Sequence, residues 1–192
     1  MFKLVLALSI LFTSCGNQYK TPHIAIITNY GDIEAELFPD KAPKTVARFL
    51  NYIDSGLYKK SSFYRVVFIE SPVSNFNYGI VQGGIWQSNN SKAISLPGIP
   101  HESPKQTGIS HINGTLSLAR GIAGSGNSEF FICVGDQTQY DSSQSVNPDG
   151  LGYAAFGRVI NGMEIVRKIH SQPANDQSFV TPIAIVEIKR IQ

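Results

Sequence analysis

Residues 63–84, FYRVVFIESPVSNFNYGIVQGG, constrain the fold most, because they set a charged side chain inside what otherwise reads as a strand. Phe63, Arg65 and Val67 alternate with Tyr64 and Val66, so a strand of period two turns Arg65 to the same face as two apolar side chains. A guanidinium in that company needs a purpose. Ile80, Val81 and Gln82 form a second short run, closed by Gly83 and Gly84, where missing side chains allow a bulge or a close backbone approach. Two neighbouring strands of this kind place a charged fork and an amide over an apolar floor.

The 192 residues suffice for one domain with a core that needs no disulfide. A net charge of +2, with basic residues scattered along the chain, argues against nucleic acid as a partner. The N-terminus stands apart: Lys3 precedes an apolar run from Leu4 to Phe12, then Thr13, Ser14 and Cys15. That is the layout of a secretory signal, too short to span a bilayer. Residues 11–15 resemble a bacterial lipobox, in which Cys15 becomes the lipidated first residue of the mature chain. The expected division is a signal peptide over 1–14, a lipidated N-terminus and polar tether over 15–21, and a folded domain over 22–192. Export to the periplasm follows, with a membrane partner reached through the lipid; an ordinary signal peptide with an accidental cysteine is the alternative.

Along the folded domain, residues 23–28 and 32–38 alternate around a turn at 29–31, and Val46, Phe49, Leu50 and Ile53 give residues 44–54 helical spacing. Residues 88–112 are polar and rich in Gly, Pro and Ser, and read as a long surface excursion. His101, Glu102 and His111 lie there without metal-ligand spacing, so no metal is expected and all three read as structural. Two strands over 116–119 and 129–134 bracket a glycine-rich loop that lacks the lysine and following helix of a phosphate cradle. Cys133 sits in the apolar run 130–134 and reads as a buried, inert thiol. A strand near 155–159 leads into a second helix, with Asn161 and Glu164 at capping-box spacing, and a last strand covers 183–191. Period alone therefore gives a mainly β chain, an antiparallel barrel or sandwich with two helices. Phe63, Phe130, Phe156, Ile26 and Val159 are bulky inward candidates that favour a filled interior over the cavity of a sugar or lipid carrier.

Four blocks in order resemble the cyclophilin family of peptidyl-prolyl cis/trans isomerases: GDIEAELFPDKAPKTVARFL from Gly31, the Phe-x-Arg and Gln-Gly-Gly strands, GTLSLARGIAGSGNSEFFI from Gly114, and FGRVINGMEIVRKI from Phe156. The resemblance runs from about Pro22 to the end of the chain. It implies a closed eight-stranded antiparallel barrel capped by two α-helices, and a monomer that works without a cofactor. It implies that Arg65 is catalytic and that Gln82 orients the substrate. Ile80 and Phe131 become the apolar floor for the proline ring, while backbone groups at Ala119 and Arg120 align the peptide. Glu129 stands where eukaryotic members have glutamine, adding a carboxylate near Arg65 that could orient it. Tyr153 takes a groove position that is histidine in many members. The family's pocket phenylalanine falls on Gly79, and Phe76 or Tyr78, with Phe68 as a third candidate, is expected to refill the space from the longer connection 68–78.

The chemistry implied is rotation about X-Pro bonds in proline-containing segments of exported proteins. The barrier is about 18 to 20 kcal/mol because the C–N bond has partial double-bond character. Twisting localises the nitrogen lone pair, so a fixed donor aimed at that nitrogen or at the prolyl carbonyl favours the twisted state. Without the resemblance, Arg65 reads as half of a surface ion pair and Phe131 as core. A peptide-binding holdase on the same fold, with little isomerase activity, is the second functional reading, prompted by Gly79.

Overall fold

The computed structural model describes residues 20–69, 78–142 and 146–191; Cys15 with the whole signal segment, and Phe76, lie outside the described residues. The strands are β1 (His23–Thr28), β2 (Gly31–Leu37), β3 (Ser61–Ile69), β4 (Tyr78–Gly84), β5 (Thr115–Leu118), β6 (Phe130–Val134), β7 (Ala154–Asn161), the two-residue β8 (Ala174–Asn175) and β9 (Ser178–Ile191). Eight of them run β1-β2-β7-β5-β6-β4-β3-β9, and β9 pairs back onto β1, closing an antiparallel barrel with no free edge. The ninth, β8, folds as a hairpin onto the start of β9, five residues ahead of where alternation alone begins that strand.

Helix α1 (Pro43–Asp54) and helix α4 (Met163–His170) are the two that the spacing predicts. The described residues hold two more, α2 (Asn90–Ser95) and α3 (Pro104–Thr107), within the excursion 88–112. Both are too short for a periodic signal and are made by their ends: the Asn89 side chain accepts from the Lys92 N–H at 3.1 Å, and Ser103 with Gln106 forms a capping box. The excursion is also not purely surface, since Ala93, Ile99 and Ile109 are buried. At α4 the expected capping box is absent. Asn161 remains in β7, and Gly162 takes the cap position with φ +89 and no side-chain hydrogen bond.

Phe63, Phe130, Phe156, Ile26 and Val159 all join one buried cluster that fills the barrel. Helix α1 closes one end by inserting Phe49 among Tyr58, Phe130 and Phe156, at ring-centroid separations of 5.2, 5.5 and 4.8 Å. Residue Ala42 offers no side-chain acceptor at the start of that helix, and Pro43 has no N–H to satisfy. Glu102, buried and 57 residues away, supplies the acceptor: its carboxylate takes the Lys44 N–H at 3.1 Å, and the Thr45 N–H and hydroxyl at 2.8 Å each. A carboxylate at a helix N-terminus also meets the positive end of the helix dipole. Glu102→Ala leaves the two buried Thr45 donors without this partner and is expected to cost about 2 to 3 kcal/mol of unfolding free energy. Urea denaturation measures this, and a loss near zero contradicts the capping role.

Candidate active site

Strand β3 does not keep a strict period of two. Phe63 pairs with Gly83 and Arg65 with Gln82, so Tyr64 is the extra residue of a β-bulge; the register against β9 shifts at the same place. Phe63 and Arg65 therefore do not share a face, contrary to the simple alternation. Phe63 points into the barrel and is fully buried, while Arg65 and Val67 look outward onto a cleft of about 620 Å³. The extra residue puts Tyr64 on the cleft as well.

Ile80 of β4 and Phe131 of β6 form the apolar base of this cleft, packed with Cys133 and Tyr140 and flanked by Val67, Ala119 and Tyr153. Their strands pair directly, Gln82 opposite Phe131 and Ile80 opposite Cys133, which brings the amide and the ring to one place. Phe130, the next residue on β6, faces the core as alternation requires. Phe131 packs edge-on to Tyr153 at 5.3 Å and tilted to Tyr140 at 5.5 Å. Burial pushes the Tyr140 hydroxyl up to about 12 and the Cys133 thiol well above its ordinary value, so both stay protonated at neutral pH.

Three of the five N–H donors of Arg65 are taken by two amide carbonyls. Nη1 donates to Gln82 Oε1 at 2.8 Å, and Nε and Nη2 both donate to Gln177 Oε1, the former at 3.0 Å. Gln177 sits in the tight β8–β9 turn, which is pinned to β3 where the Val66 N–H donates to the Gln177 carbonyl at 2.9 Å. Among the described residues, one N–H on each terminal nitrogen of Arg65 has no partner and is open to a ligand in the cleft.

Glu129 does not orient Arg65 by a direct ion pair. Its Oε2 accepts the Tyr64 hydroxyl at 2.8 Å, and its Oε1 accepts the Ile85 N–H, the Trp86 N–H and the Ser128 hydroxyl at 2.9 to 3.1 Å. Gly84 makes room for this carboxylate: a Cβ there would stand 2.4 to 2.6 Å from its atoms. Desolvation raises the Glu129 pKa, opposed by the hydrogen bonds that it accepts. Desolvation and the neighbouring Glu129 raise the Tyr64 hydroxyl far above the ordinary phenol range.

The aromatic refill expected from Tyr78 does not occur. Its ring lies over Gly135, where a Cβ would come within 1.8 Å of it, and it is not among the residues lining the cleft. Phe68 packs edge-on to His170 at 4.8 Å and is likewise not among them. Val67, Tyr140 and Tyr153 supply the apolar walls instead. Glycine at 79 has its own cause: φ is +143, and a Cβ would stand 1.7 Å from the Val67 carbonyl oxygen.

At Ala119 the N–H donates to the Glu129 carbonyl at 2.9 Å, fixing this edge of the cleft to the residue just ahead of β6. Arg120 contributes more than its backbone. Its side chain is almost fully buried, pairs with Asp149 through both terminal nitrogens at 2.6 and 2.8 Å, donates to the Gly152 carbonyl, and lies 5.4 Å over the Tyr153 ring. The ion pair holds Asp149 down to about 2. Gln177, Tyr64, Val67, Tyr140 and Trp86 also line the cleft and carry no motif that sequence spacing could flag. His111 is buried behind Phe131, stacked on it at 5.9 Å, with its ring nitrogens against Asp141 at 2.7 Å and Ser117 at 2.9 Å.

A sequence model described as "Cyclophilin type peptidyl-prolyl cis-trans isomerase/CLD" matches residues 23–190. Peptidyl-prolyl cis-trans isomerase A of Dickeya dadantii is 35% identical over 148 residues, covering 77% of this chain and 70% of that protein. Peptidyl-prolyl cis-trans isomerase B of Escherichia coli is 35% identical over 144 residues, covering 74% and 80% respectively. A crystal structure of a cyclophilin-type peptidyl-prolyl cis-trans isomerase of Cryptosporidium parvum superposes with a TM-score of 0.70 at 24% identity, covering 90% of this chain and 98% of that one. A second structure of the parasite protein, described as in the presence of dipeptide Ala-Pro, gives a TM-score of 0.68 at 24% identity, covering 88% and 99%. With the barrel closed and the arginine, amide and apolar base gathered on its outer face, this chain belongs to the cyclophilin-type peptidyl-prolyl cis-trans isomerase family.

Proposed function

We propose that this chain accelerates cis/trans rotation about X-Pro bonds in exported proteins, from a site tethered to the membrane through lipidated Cys15. The observation that carries the catalytic part is the grip on Arg65 by two neutral carbonyls beside the Phe131 base. The ring of a bound proline rests on Phe131 and Ile80, and Gln82 holds the peptide carbonyl. The free N–H groups of Arg65 then meet the prolyl nitrogen or carbonyl as the bond twists. Such a donor gains strength only when the lone pair localises, which is the condition for raising a rate rather than a binding constant. The fork is permanently charged and its side chain is already fixed, so little reorganisation is needed at the transition state. The presence of Ala-Pro with the parasite relative is in keeping with a proline dipeptide as the minimal ligand.

The exported location rests on the N-terminal sequence, with its apolar run ending at Cys15. Acyl chains stabilise membrane attachment by about 0.8 kcal/mol per buried methylene, which suffices for anchoring without a spanning helix.

In a protease-coupled assay on a Xaa-Pro peptide, the wild-type chain is expected to show isomerase activity, and Arg65→Ala to lower kcat/KM by about a hundredfold or more. Gln177→Ala, which frees one side of the fork, is expected to cost a smaller factor, about fivefold. Peptide binding with no rate enhancement in the wild type identifies a holdase instead. Mass spectrometry of the mature protein is expected to find an acylated Cys15 at its N-terminus; a mature chain that starts elsewhere or carries an unmodified cysteine refutes the anchor.

A further inference from the structure

The hydrogen bonds around Gln82 form a line in which every member has only one possible direction. Arg65 can only donate, so the Gln82 group at 2.8 Å from Nη1 must be the carbonyl. That turns the Gln82 NH₂ toward Tyr64, whose oxygen accepts it at 2.9 Å. The Tyr64 hydroxyl has one proton, and it goes to Glu129 Oε2 at 2.8 Å. At the far end, Oε1 of Glu129 faces two backbone N–H groups, Ile85 and Trp86, that cannot reverse. An ionised carboxylate is acceptor-only and is the one end group that lets the whole line run from Arg65 to residue 129.

We propose that Glu129 and Tyr64 are positioning residues that set the hydrogen-bond polarity of Gln82, so that its carbonyl faces Arg65 and its remaining N–H faces the peptide. This deepens the isomerase reading and rests on it. The substitution Glu129→Gln is nearly isosteric but inverts the line. Ile85 and Trp86 require the new carbonyl, so the new NH₂ must face Tyr64. The Tyr64 proton has then lost its acceptor at residue 129; the acceptor within reach is the Gln82 carbonyl, and donating to it turns the Gln82 NH₂ against the Arg65 guanidinium. One change at residue 129 removes the acceptor that aims Arg65 and the donor that holds the peptide.

Protonation of Glu129 in acid acts in the same sense, because a carboxylic acid can donate back to Tyr64. The other titratable or charged groups near Glu129 are Tyr64 and Tyr58, both held neutral by burial, and Arg65, which is permanently charged. His111 lies behind Phe131 and also titrates in acid, its pKa lowered by desolvation, so the informative quantity is the difference between wild-type and variant pH profiles.

The experiment measures kcat/KM against pH for wild type, Glu129→Gln, Tyr64→Phe and the double variant, with circular dichroism confirming that each is folded. Glu129→Gln is expected to lower kcat/KM about tenfold at neutral pH and to lose the acid step assigned to Glu129. In the Tyr64→Phe background, where the line is already cut, the same change is expected to have no further effect. A nuclear Overhauser experiment on the Gln82 side-chain amide reads the polarity without turnover: its protons are expected beside the Tyr64 ring in wild type and beside the Arg65 guanidinium in Glu129→Gln. An inactive wild type sinks the isomerase assignment while this readout still judges the polarity. An active wild type whose Glu129→Gln variant keeps the rate, the pH profile and the Gln82 contacts overturns the inference, and so does an equal loss from Glu129→Gln with and without Tyr64.

Discussion

The site depends on one extra residue in β3. If Tyr64 paired in register, Arg65 would share a side with Phe63 and its guanidinium would enter a barrel packed with aromatic rings, where an unpaired charge is untenable. The bulge turns the cation outward while leaving Phe63 and Val66 to fill the interior. It also frees Tyr64 to stand between Gln82 and Glu129. Core packing and chemistry are thus reconciled by a single irregularity in a strand that is otherwise regular.

The charges of the cleft are arranged so that Arg65 is held but not neutralised. A carboxylate in direct contact would orient the guanidinium and also cancel much of the field that it presents to the cleft. Here the contacting groups are amide carbonyls, and the carboxylate of Glu129 is kept one tyrosine and one glutamine away. On the opposite wall Arg120 is treated the other way. Its charge is paired with Asp149, and its role is mechanical: it ties the segment around residues 149–152 to the Tyr153 ring.

The barrel, its two longer helices and the pairing of Arg65 with Gln82 were legible in the sequence, because alternation, helical spacing and the four family blocks all report on residues close together in the chain. What escaped reading depends on partners far away. The bulge is defined only by the strands on either side of β3. Gln177 reaches Arg65 from 112 positions downstream, in a turn with no motif, and Glu102 caps a helix 57 positions upstream from inside a stretch that looks like plain loop. Asn161 and Glu164 have the right spacing for a capping box, yet the strand continues through Asn161 because it pairs with Glu34 of β2. Tyr78 had a suitable ring, but β4 already includes it and its direction is set there rather than by the needs of the cleft.

The fit of Gly79 against the Val67 carbonyl bears on how this binding site can change over time. Because the backbones of β3 and β4 come so near each other at that point, no residue with a side chain fits unless the two backbones shift. The phenylalanine that the family resemblance implies at this position is therefore not one substitution away but a shift of the backbone away. At position 79 the sheet, rather than the cleft beside it, decides which residue is admitted.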